Sequence, residues 1–174
     1  MEKQTPKNNL KKLRIQSGLS QKDFYEKNIS NEFLDFVRKD ENNILTEHSA
    51  PKNGEHLVKI METLKDGESK EDLPEEIRPK SGYKNTYAKL WWEKPSTTIT
   101  RNFACPSSSR CIHPRDSRAM TIREGARLQS FPDDYMFYGS DTMKKLEIGN
   151  AVPPLLSIAI ANELLKVLNK KITE

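Results

Sequence analysis

The stretch TIREGARLQSFPDDYMF, residues 121–137, determines how the C-terminal half of the chain is organised. Thr121 followed by Glu124 predicts a capping box, in which each side chain pairs with an amide that the first helical turn leaves free. The helix must end near Ser130, because Pro132 cannot continue it. Charge pairs on a capped helix are usually architectural, so we expect scaffold residues here rather than a catalytic centre. The predicted scaffold residues are Thr121, Arg123, Glu124, Arg127 and Gln129.

Two more helices are predicted after this stretch. Residues 140–154, SDTMKKLEIGNAVPP, indicate a brief helix that turns at Gly149. From Pro153 the sequence PPLLSIAIANELLKVLNKK begins with prolines at a helix N-terminus and is apolar around most of its circumference. Such a helix needs a partner surface on nearly every side.

An amphipathic helix and a polar loop are predicted further upstream. Four apolar residues recur at the spacing of one helical face, and the helix is expected to end at Gly67. These residues are Leu57, Ile60, Met61 and Leu64. Residues 66–82, DGESKEDLPEEIRPKSG, are acidic and contain two prolines and two glycines, which is typical of a loop. We interpret the helical face as core and not as a site.

A β-hairpin is the best interpretation of the segment that follows. TYAKLWW, residues 86–92, and TTITRNF, residues 97–103, alternate like strands around EKPS. Trp91 and Trp92 point to opposite faces of such a strand, so at least one of them is predicted to be core. Base stacking by these indoles is the less favoured role.

Composition bounds the class of protein. A chain of 174 residues forms one ordinary domain or part of a larger protein. With 34% apolar and 31% charged residues, only a modest core is expected. The N-terminus has no signal-peptide pattern, and we expect no apolar run that approaches membrane-spanning length. A cytoplasmic protein without a membrane partner is therefore predicted.

The positive charge is concentrated between residues 80 and 118. This stretch has eight basic and two acidic residues, a net charge of +6, while the chain as a whole has +4. The basic residues are Lys80, Lys84, Lys89, Lys94, Arg101, Arg110, Arg115 and Arg118. A field of this kind favours a polyanionic partner, and the interleaved aromatic and hydroxyl side chains favour nucleic acid. The alternative is that the lysines merely solvate strand edges.

The two cysteines, Cys105 and Cys111, are too few for a disulfide framework and are predicted to be free thiols in a reducing compartment. With His113 they have a spacing that suggests a metal site. A structural zinc site gathers four ligands in tight pairs, however, and His48 and His56 are distant in sequence. We therefore interpret this region as an ordinary polar loop without a metal.

The N-terminal residues 8–40 predict two or three short helices. GLSQKDF, residues 18–24, also resembles the opening of a helix-turn-helix of the phage-repressor type, which binds a DNA groove. Tyr25 stands where that family packs a small residue, and the turn before Ile29 is one residue short. An ordinary helical segment is the preferred interpretation.

Two long motifs resemble a known family. HPRDSRAMTIREGARLQSFPDDYMFYGS, residues 113–140, followed by KKLEIGNAVPPLLSIAIANEL, residues 144–164, resembles the last two motifs of the DNA (cytosine-5) methyltransferases, bacterial modification enzymes that flip a cytosine out of the duplex. Residues 47–74 and 90–100 are similar to the target-recognition region of that family. The resemblance spans residues 45 to 168 and leaves the first forty or so uncovered.

The resemblance implies a division of the chain and a fold class. Residues 45–120 are expected to form a target-recognition region, and residues 121–174 the C-terminal motifs and the helix that packs on a catalytic domain absent from this chain. Residues 1–44, which the resemblance leaves uncovered, are expected to form a helical N-terminal segment without an assigned role. The fold class expected is α+β, a small mixed domain with a β-hairpin in the target-recognition region, several short helices and a long C-terminal apolar helix.

Other family motifs are missing from this sequence. The family's nucleophile is a cysteine directly after a proline, but Cys105 follows Ala104 and Cys111 follows Arg110. No Gly-x-Gly cofactor turn and no Glu-Asn-Val tripeptide occur. The resemblance thus implies the C-terminal portion of such an enzyme, and we expect no catalytic residue in it and no methylation by it alone.

The resemblance also implies DNA contacts. In the family, a Thr followed by an aliphatic residue contacts the DNA backbone near the target, and Thr98 and Ile99 match this pair. The alternative is a β-branched pair that suits a strand. Arg101 and Arg118 are further candidates for a phosphate or base contact, with simple solvation as the alternative.

A cofactor contact is implied at the end of the chain. Asn150 and Ala151 match the place where the last motif of the family folds back against S-adenosylmethionine, most of whose pocket belongs to a missing domain. The alternative is that Asn150 only closes the turn at Gly149. Glu147 departs from the glutamine that is common at this position of the family.

Two functions remain open at this point. In the first, the chain is the DNA-recognising part or subunit of a split cytosine-5 methyltransferase of restriction-modification type. It binds double-stranded DNA and is completed by a complementary chain that carries the nucleophile and cofactor loop. In the second, the chain is a non-enzymatic DNA-binding protein or an inactive methyltransferase remnant.

Overall fold

The computed structural model describes residues 35–37 and 45–172, and its elements are helices with one very small sheet. In chain order they are α1 (Glu55–Thr63), a 3₁₀ turn (Lys70–Asp72), β1 (Ala88–Lys89), β2 (Arg110–Ile112), α2 (Ile122–Leu128), α3 (Asp141–Asn150) and α4 (Pro154–Ile172). Residues 35–37 are also helical. The mixed α+β class is confirmed. The stretch 18–24, with its possible helix-turn-helix, lies outside the described residues.

The predicted β-hairpin is wrong. β1 pairs with β2, a strand twenty residues further on, and the pairing is parallel, with Ala88 opposite Arg110 and Lys89 opposite Ile112. Residues 97–103 form no strand. Their alternation arises because Ile99 and Phe103 reach into the core from an irregular segment, not because they belong to a pleated ladder. An alternating pattern of apolar and polar residues indicates which side chains are buried, but it does not indicate which strand is the partner.

Two hydrophobic clusters meet at β2. The smaller one contains the predicted face of α1, where Ile60, Met61 and Leu64 are buried as expected. The larger one surrounds α2 and consists of Leu90, Ile99, Phe103, Cys111, Met120, Ile122, Ala126, Phe131, Phe137 and Ile148. Cys111 belongs to the larger cluster and Ile112 to the smaller, because successive side chains of a strand point to opposite faces. Strand β2 therefore joins the two clusters.

Helix α2 begins and ends as the sequence predicts. The predicted capping box is present, since the Thr121 amide donates to Glu124 Oε2 at 2.8 Å and the Glu124 amide donates to Thr121 Oγ1 at 3.2 Å. At the other end Ser130 has a φ of 64°. The amide after it, that of Phe131, donates back to the Ala126 carbonyl at 2.9 Å, as in a Schellman motif. Proline 132 follows this turn.

The end of α2 also fixes the start of α4. The Leu155 amide, which lies in the first turn of α4, donates to the Ser130 hydroxyl at 3.2 Å. A helix leaves its first amides without intrahelical partners, so this hydroxyl serves as an external cap. The turn that terminates one helix thereby determines where the other begins.

Helix α4 is apolar and exposed. All described side chains from Leu156 to Asn169 are exposed, including Ile158, Ile160 and Leu164. The span Asp141–Asn169, which contains α3 and most of α4, is long and apolar enough to cross a membrane by length and composition, so the expectation that no apolar run approaches spanning length is wrong. A core helix of a soluble protein satisfies the same criterion.

The guanidinium of Arg123 is the centre of a buried polar cluster. Its side chain is fully buried, and it donates to the Thr46 carbonyl at 3.1 Å, the Pro132 carbonyl at 3.1 Å and the Tyr135 carbonyl at 3.0 Å. A fourth bond reaches the Thr46 hydroxyl at 2.8 Å. The ring of Phe137 lies 5.5 Å below the guanidinium carbon. One side chain thus holds residue 46, helix α2 and residues 132–137 together.

Arg123→Met is expected to lower the free energy of unfolding by about 3 kcal/mol, because three main-chain carbonyls lose the fully buried guanidinium as their donor while the apolar volume is kept. Urea unfolding followed by circular dichroism measures this loss. The exposed Arg101 provides the matched control, and Arg101→Met should change the value by no more than about 0.5 kcal/mol. Equal effects of the two substitutions would show that the buried cluster is not a stabilising centre.

Candidate nucleic-acid interface

The structure divides the eight basic residues of the segment 80–118 into two groups. Lys89 and Arg110 are buried, and Arg118 is half-buried in an ion pair. Five side chains remain exposed and carry the positive charge toward solvent. They are Lys80, Lys84, Lys94, Arg101 and Arg115. The positive charge that this segment exposes to solvent is therefore smaller than its eight basic residues suggest.

The segment from Thr98 to Arg101 combines one anchor with exposed polar groups. Ile99 is buried in the larger cluster, while Thr98 and Arg101 are exposed on either side of it. The Phe103 amide donates to the Thr100 carbonyl at 2.9 Å, which closes a turn that has Arg101 and Asn102 at its centre. The Thr98 hydroxyl and the Arg101 guanidinium are thus presented to solvent from a fixed backbone.

Two helical glycines hold this segment against the scaffold. A Cβ atom on Gly149 of α3 would overlap the backbone of Thr100 and Arg101, and one on Gly125 of α2 would overlap the Phe103 ring. Only a residue without a side chain permits such a close approach. The candidate interface therefore rests directly on the helices of both C-terminal motifs.

Arg118 is engaged within the protein. It donates to both carboxylate oxygens of Glu124, at 2.8 Å and 2.7 Å, and lies 2.9 Å from Asp116. This bidentate geometry is the strongest form of a guanidinium–carboxylate pair. Few N–H groups of Arg118 remain for the DNA contact that the sequence suggested, which separates it from the exposed Arg101.

The ion pair and the capping box converge on Glu124. Burial would raise the pKa of its carboxyl, but hydrogen bonds from Arg118 and the Thr121 amide, together with the charge of Arg118, lower that pKa to about 2. Burial lowers the pKa of the neighbouring His113, whose Nδ1 accepts the Asp116 amide at 2.9 Å. The carboxylate is thus charged and the imidazole neutral at pH 7, which is a structural arrangement and not an acid–base pair.

The remaining scaffold residues connect α2 to its neighbours. Arg127 forms a bidentate pair with the buried Asp133, at 2.8 Å and 2.7 Å. The amide of Gln129 donates to the carbonyls of Ile148 and Ala151, at 3.1 Å and 3.3 Å. Gln129 thereby fixes the end of α3, where the candidate cofactor residues lie.

Asn150 and Ala151 lie at this end of α3. Asn150 is its last residue and is exposed, and Ala151 is half-buried and caps the helix. The expected turn at Gly149 is displaced, since the helix continues through that residue. Within the part of the chain that the structure describes, the Asn150 side chain makes no hydrogen bond, so its amide is available to a ligand. Glu147 is exposed, and its carboxylate needs no buried partner.

The cysteines and histidines are not gathered into one place. Cys105 and Cys111 are free thiols, and burial raises the pKa of Cys111 to about 12. Cys105 lies 3.2 Å from the Ser107 hydroxyl, while His48 lies 3.1 Å from the Thr121 hydroxyl. Across residues 35–37 and 45–172, no group of three or more His, Cys, Asp or Glu side chains is arranged to hold a metal ion.

Sequence reasoning missed two arginine–tryptophan stacks. The guanidinium carbon of Arg110 lies 4.0 Å from the centre of the Trp91 ring, and that of Arg115 lies 3.5 Å from the centre of the Trp92 ring. The cations and the indoles come from two different chain segments. The proximity follows from the parallel pairing of β1 and β2, for which the sequence gives no signal.

Comparison with known proteins identifies the family. The family model for C-5 cytosine-specific DNA methylases matches residues 1–166. The chain belongs to the C-5 cytosine-specific DNA methylase family. Because the match begins at residue 1, the expectation that the first forty or so residues are uncovered is wrong.

Several bacterial members of the family are similar to this chain. Type II methyltransferase M1.HphI of Haemophilus parahaemolyticus is 38% identical over 127 residues, which are 73% of this chain and 33% of that protein. M.Eco47II of Escherichia coli is 35% identical over 133 residues, or 71% of this chain and 32% of the relative. M.AgeI of Thalassovita gelatinovora is 42% identical over 108 residues, which are 62% of this chain and 25% of that protein. The chain spans a quarter to a third of the length of these relatives.

The depressed pKa of Glu124 predicts a pH-dependent contribution to stability. Since its pKa falls from an ordinary 4.5 to about 2 on folding, the contribution is present above pH 4.5 and is lost as the pH falls toward 2. Glu124→Gln keeps an acceptor for the capping box but removes the charge. In urea unfolding the variant should be less stable than the wild type by roughly 3 kcal/mol near pH 6, with the difference vanishing near pH 2. A difference that does not change with pH would contradict this account.

Gly149→Ala is expected to displace the backbone of residues 100–101 or to loosen α3, at a cost of about 1–3 kcal/mol in the free energy of unfolding. Gly54→Ala is the matched control, because a Cβ atom there would meet nothing within 4 Å. Gly54 is the N-cap of α1, so this control should cost less than about 1 kcal/mol. A smaller loss for Gly149→Ala than for Gly54→Ala would show that the helix does not press on the segment.

Proposed function

We propose that this chain is the C-terminal, DNA-recognising part or subunit of a DNA (cytosine-5) methyltransferase of restriction-modification type. The complete enzyme transfers a methyl group from S-adenosylmethionine to cytosine in duplex DNA. This chain contributes to that reaction only when it is completed by a polypeptide that carries the Pro-Cys nucleophile and the glycine-rich cofactor loop. The observation that carries the proposal is the match of the chain to the C-5 cytosine-specific DNA methylase family over residues 1–166.

The division of labour follows the order of the chain in this proposal. Residues 45–120 read the duplex, with Thr98 and Arg101 on the DNA side and Ile99 as their anchor in the core. Residues 121–174 hold the reader and dock on the catalytic domain. The geometry supports Arg101 over Arg118 as a phosphate contact, since only the former is exposed and free of an ion pair in the described structure. The relatives are bacterial Type II methyltransferases by name, and we place this chain in the cytoplasm accordingly.

Helix α4 is the proposed contact with the catalytic domain. Its apolar side chains are exposed all around, whereas a soluble protein rarely leaves so large an apolar surface uncovered. Each Å² that a partner covers contributes roughly 25 cal/mol to the association. A complementary chain, or a further part of the same polypeptide, supplies that surface.

The residues at the end of α3 fit one edge of a cofactor site. Asn150 offers an exposed amide, and Gln129 holds the adjoining carbonyls in place. A cleft of about 410 Å³ in the described structure lies between α1 and residues 105–107 and does not include Asn150 or Ala151. We infer from the family resemblance that S-adenosylmethionine, which supplies the methyl group when bound, would be held mainly by the catalytic domain, with Asn150 and Ala151 at its border.

A non-enzymatic DNA-binding protein or an inactive remnant is the second candidate. The absence of a Pro-Cys pair from residues 1–174 favours it, since the family's chemistry needs that cysteine. It also accounts for the exposed basic side chains. It gives no role to the apolar surface of α4, however, which is why the completed enzyme is preferred.

Transfer of labelled methyl groups from S-adenosylmethionine to duplex DNA tests the proposal. The assay uses this chain alone, the product of an adjacent reading frame that encodes a Pro-Cys motif and a glycine-rich loop, and an equimolar mixture. Activity is expected only in the mixture. Activity of this chain alone would refute the proposal. DNA binding without activity in the mixture would favour the second candidate.

A further inference from the structure

The ends of the two parallel strands bring a second set of polar groups together. In a parallel pair both strands point the same way, so the residues that follow β1 and those that follow β2 leave the sheet at the same edge. Trp91 and Trp92 follow β1, and residues 113–118 follow β2. The Trp92 amide donates to Asp66 Oδ1 at 2.8 Å, which fixes the start of its loop.

Arg115 lies over the Trp92 ring at this edge. Its guanidinium carbon is 3.5 Å from the ring centre, which is van der Waals contact, and the residue is exposed. Its backbone is also fixed, because the amides of Arg115 and Asp116 both donate to His113 Nδ1, at 3.3 Å and 2.9 Å. The side chain is thus held at its base by a turn and at its tip by an indole.

The hydrogen-bonding edge of Arg115 is free. The neighbouring carboxylate, that of Asp116, pairs with Arg118 at 2.9 Å. In the described residues the Arg115 guanidinium makes no hydrogen bond or ion pair. Stacking occupies only the flat face of a guanidinium, so its N–H groups stay available in the plane.

The second stacked arginine provides a contrast. Arg110 is buried, and its guanidinium donates to the Gly67 carbonyl at 2.8 Å and to the Lys89 carbonyl. Those bonds give it a structural role under Trp91. Lys94, which lies 5.3 Å above the same ring, carries a compact charge without a planar fork. Arg115 is the arginine of this pair that is both fixed in orientation and open to solvent.

We propose that Arg115 reads a guanine through the major groove and that Trp92 positions it. The N–H groups of an arginine fork match O6 and N7 of guanine, and this pairing distinguishes guanine from every other base. A planar fork can also pair with a phosphate, but such a contact carries no sequence information, whereas a base contact distinguishes one sequence from another. The stack restricts the side chain before the DNA arrives, so less rotamer freedom is lost on binding.

This inference rests on the proposed DNA-reading function and adds to it a specificity-determining residue with its base. The test is selection of bound sequences from a random duplex library by the full chain. Wild type, Arg115→Lys, Trp92→Leu and the control Arg78→Lys are compared, each checked for native circular dichroism. Arg78 is exposed, and its guanidinium donates to the carbonyls of Glu71 and Leu73. Lysine keeps the charge in both arginine variants but removes the planar fork.

The wild type is expected to enrich guanine at one position of the site. Arg115→Lys should reduce that preference by about 5- to 150-fold, the range for one bidentate base contact, and leave the other positions unchanged. Trp92→Leu should weaken the same position, because the fork is no longer held in its plane. Arg78→Lys should leave the preference intact at every position.

Two results would overturn the inference while the proposed function survives. One is duplex binding in which Arg115→Lys retains every base preference. The other is an equal loss of affinity for all sequences, which is the behaviour of a phosphate contact. If the wild-type chain binds no duplex DNA at all, the proposed reading function fails, and the assignment of Arg115 fails with it.

Discussion

The structure depends on one fully buried cation. Arg123 lies on α2 between residue 46 and the turn at residues 132–137, and it satisfies backbone carbonyls that come from both. Burial lowers the pKa of its guanidinium, yet an arginine stays charged in a protein interior, so the surrounding chain must supply acceptors. Those acceptors are main-chain carbonyls from irregular segments, which have no ladder or helix to satisfy them. The guanidinium therefore satisfies main-chain carbonyls that a helix or a sheet satisfies elsewhere.

The polar residues around α2 extend this arrangement outward. Glu124 holds Arg118, Arg127 holds Asp133, and Gln129 holds the end of α3. A short helix whose polar side chains all face other segments serves as a junction. The exposed segment with Thr98 and Arg101 is placed by this junction, since its backbone rests on α3. The position of the candidate DNA contacts is thus decided by the scaffold residues of α2 and α3.

Local features of this fold were predictable from the sequence, and pairings between distant segments were not. The capping box of Thr121 and Glu124, the end of the helix before Pro132 and the buried face of α1 are each set by residues within a few positions of one another. The prediction of a β-hairpin was wrong because Ile99 and Phe103 alternate for a different reason. Both side chains are buried in a core that α2 and α3 complete, and neither belongs to a strand. The charge count likewise overestimated the exposure of Lys89, Arg110 and Arg118, because their burial depends on partners far along the chain.

Ser130 ends α2 and caps the first turn of α4, and this shared residue has a mechanical consequence. The long apolar helix projects from the domain along an axis that is already set by the turn below it. A change of its direction at this point would break the hydrogen bond between the Leu155 amide and the Ser130 hydroxyl. In the proposed assembly the helix therefore meets a partner with part of its orientation already fixed, which reduces the conformational entropy lost on association.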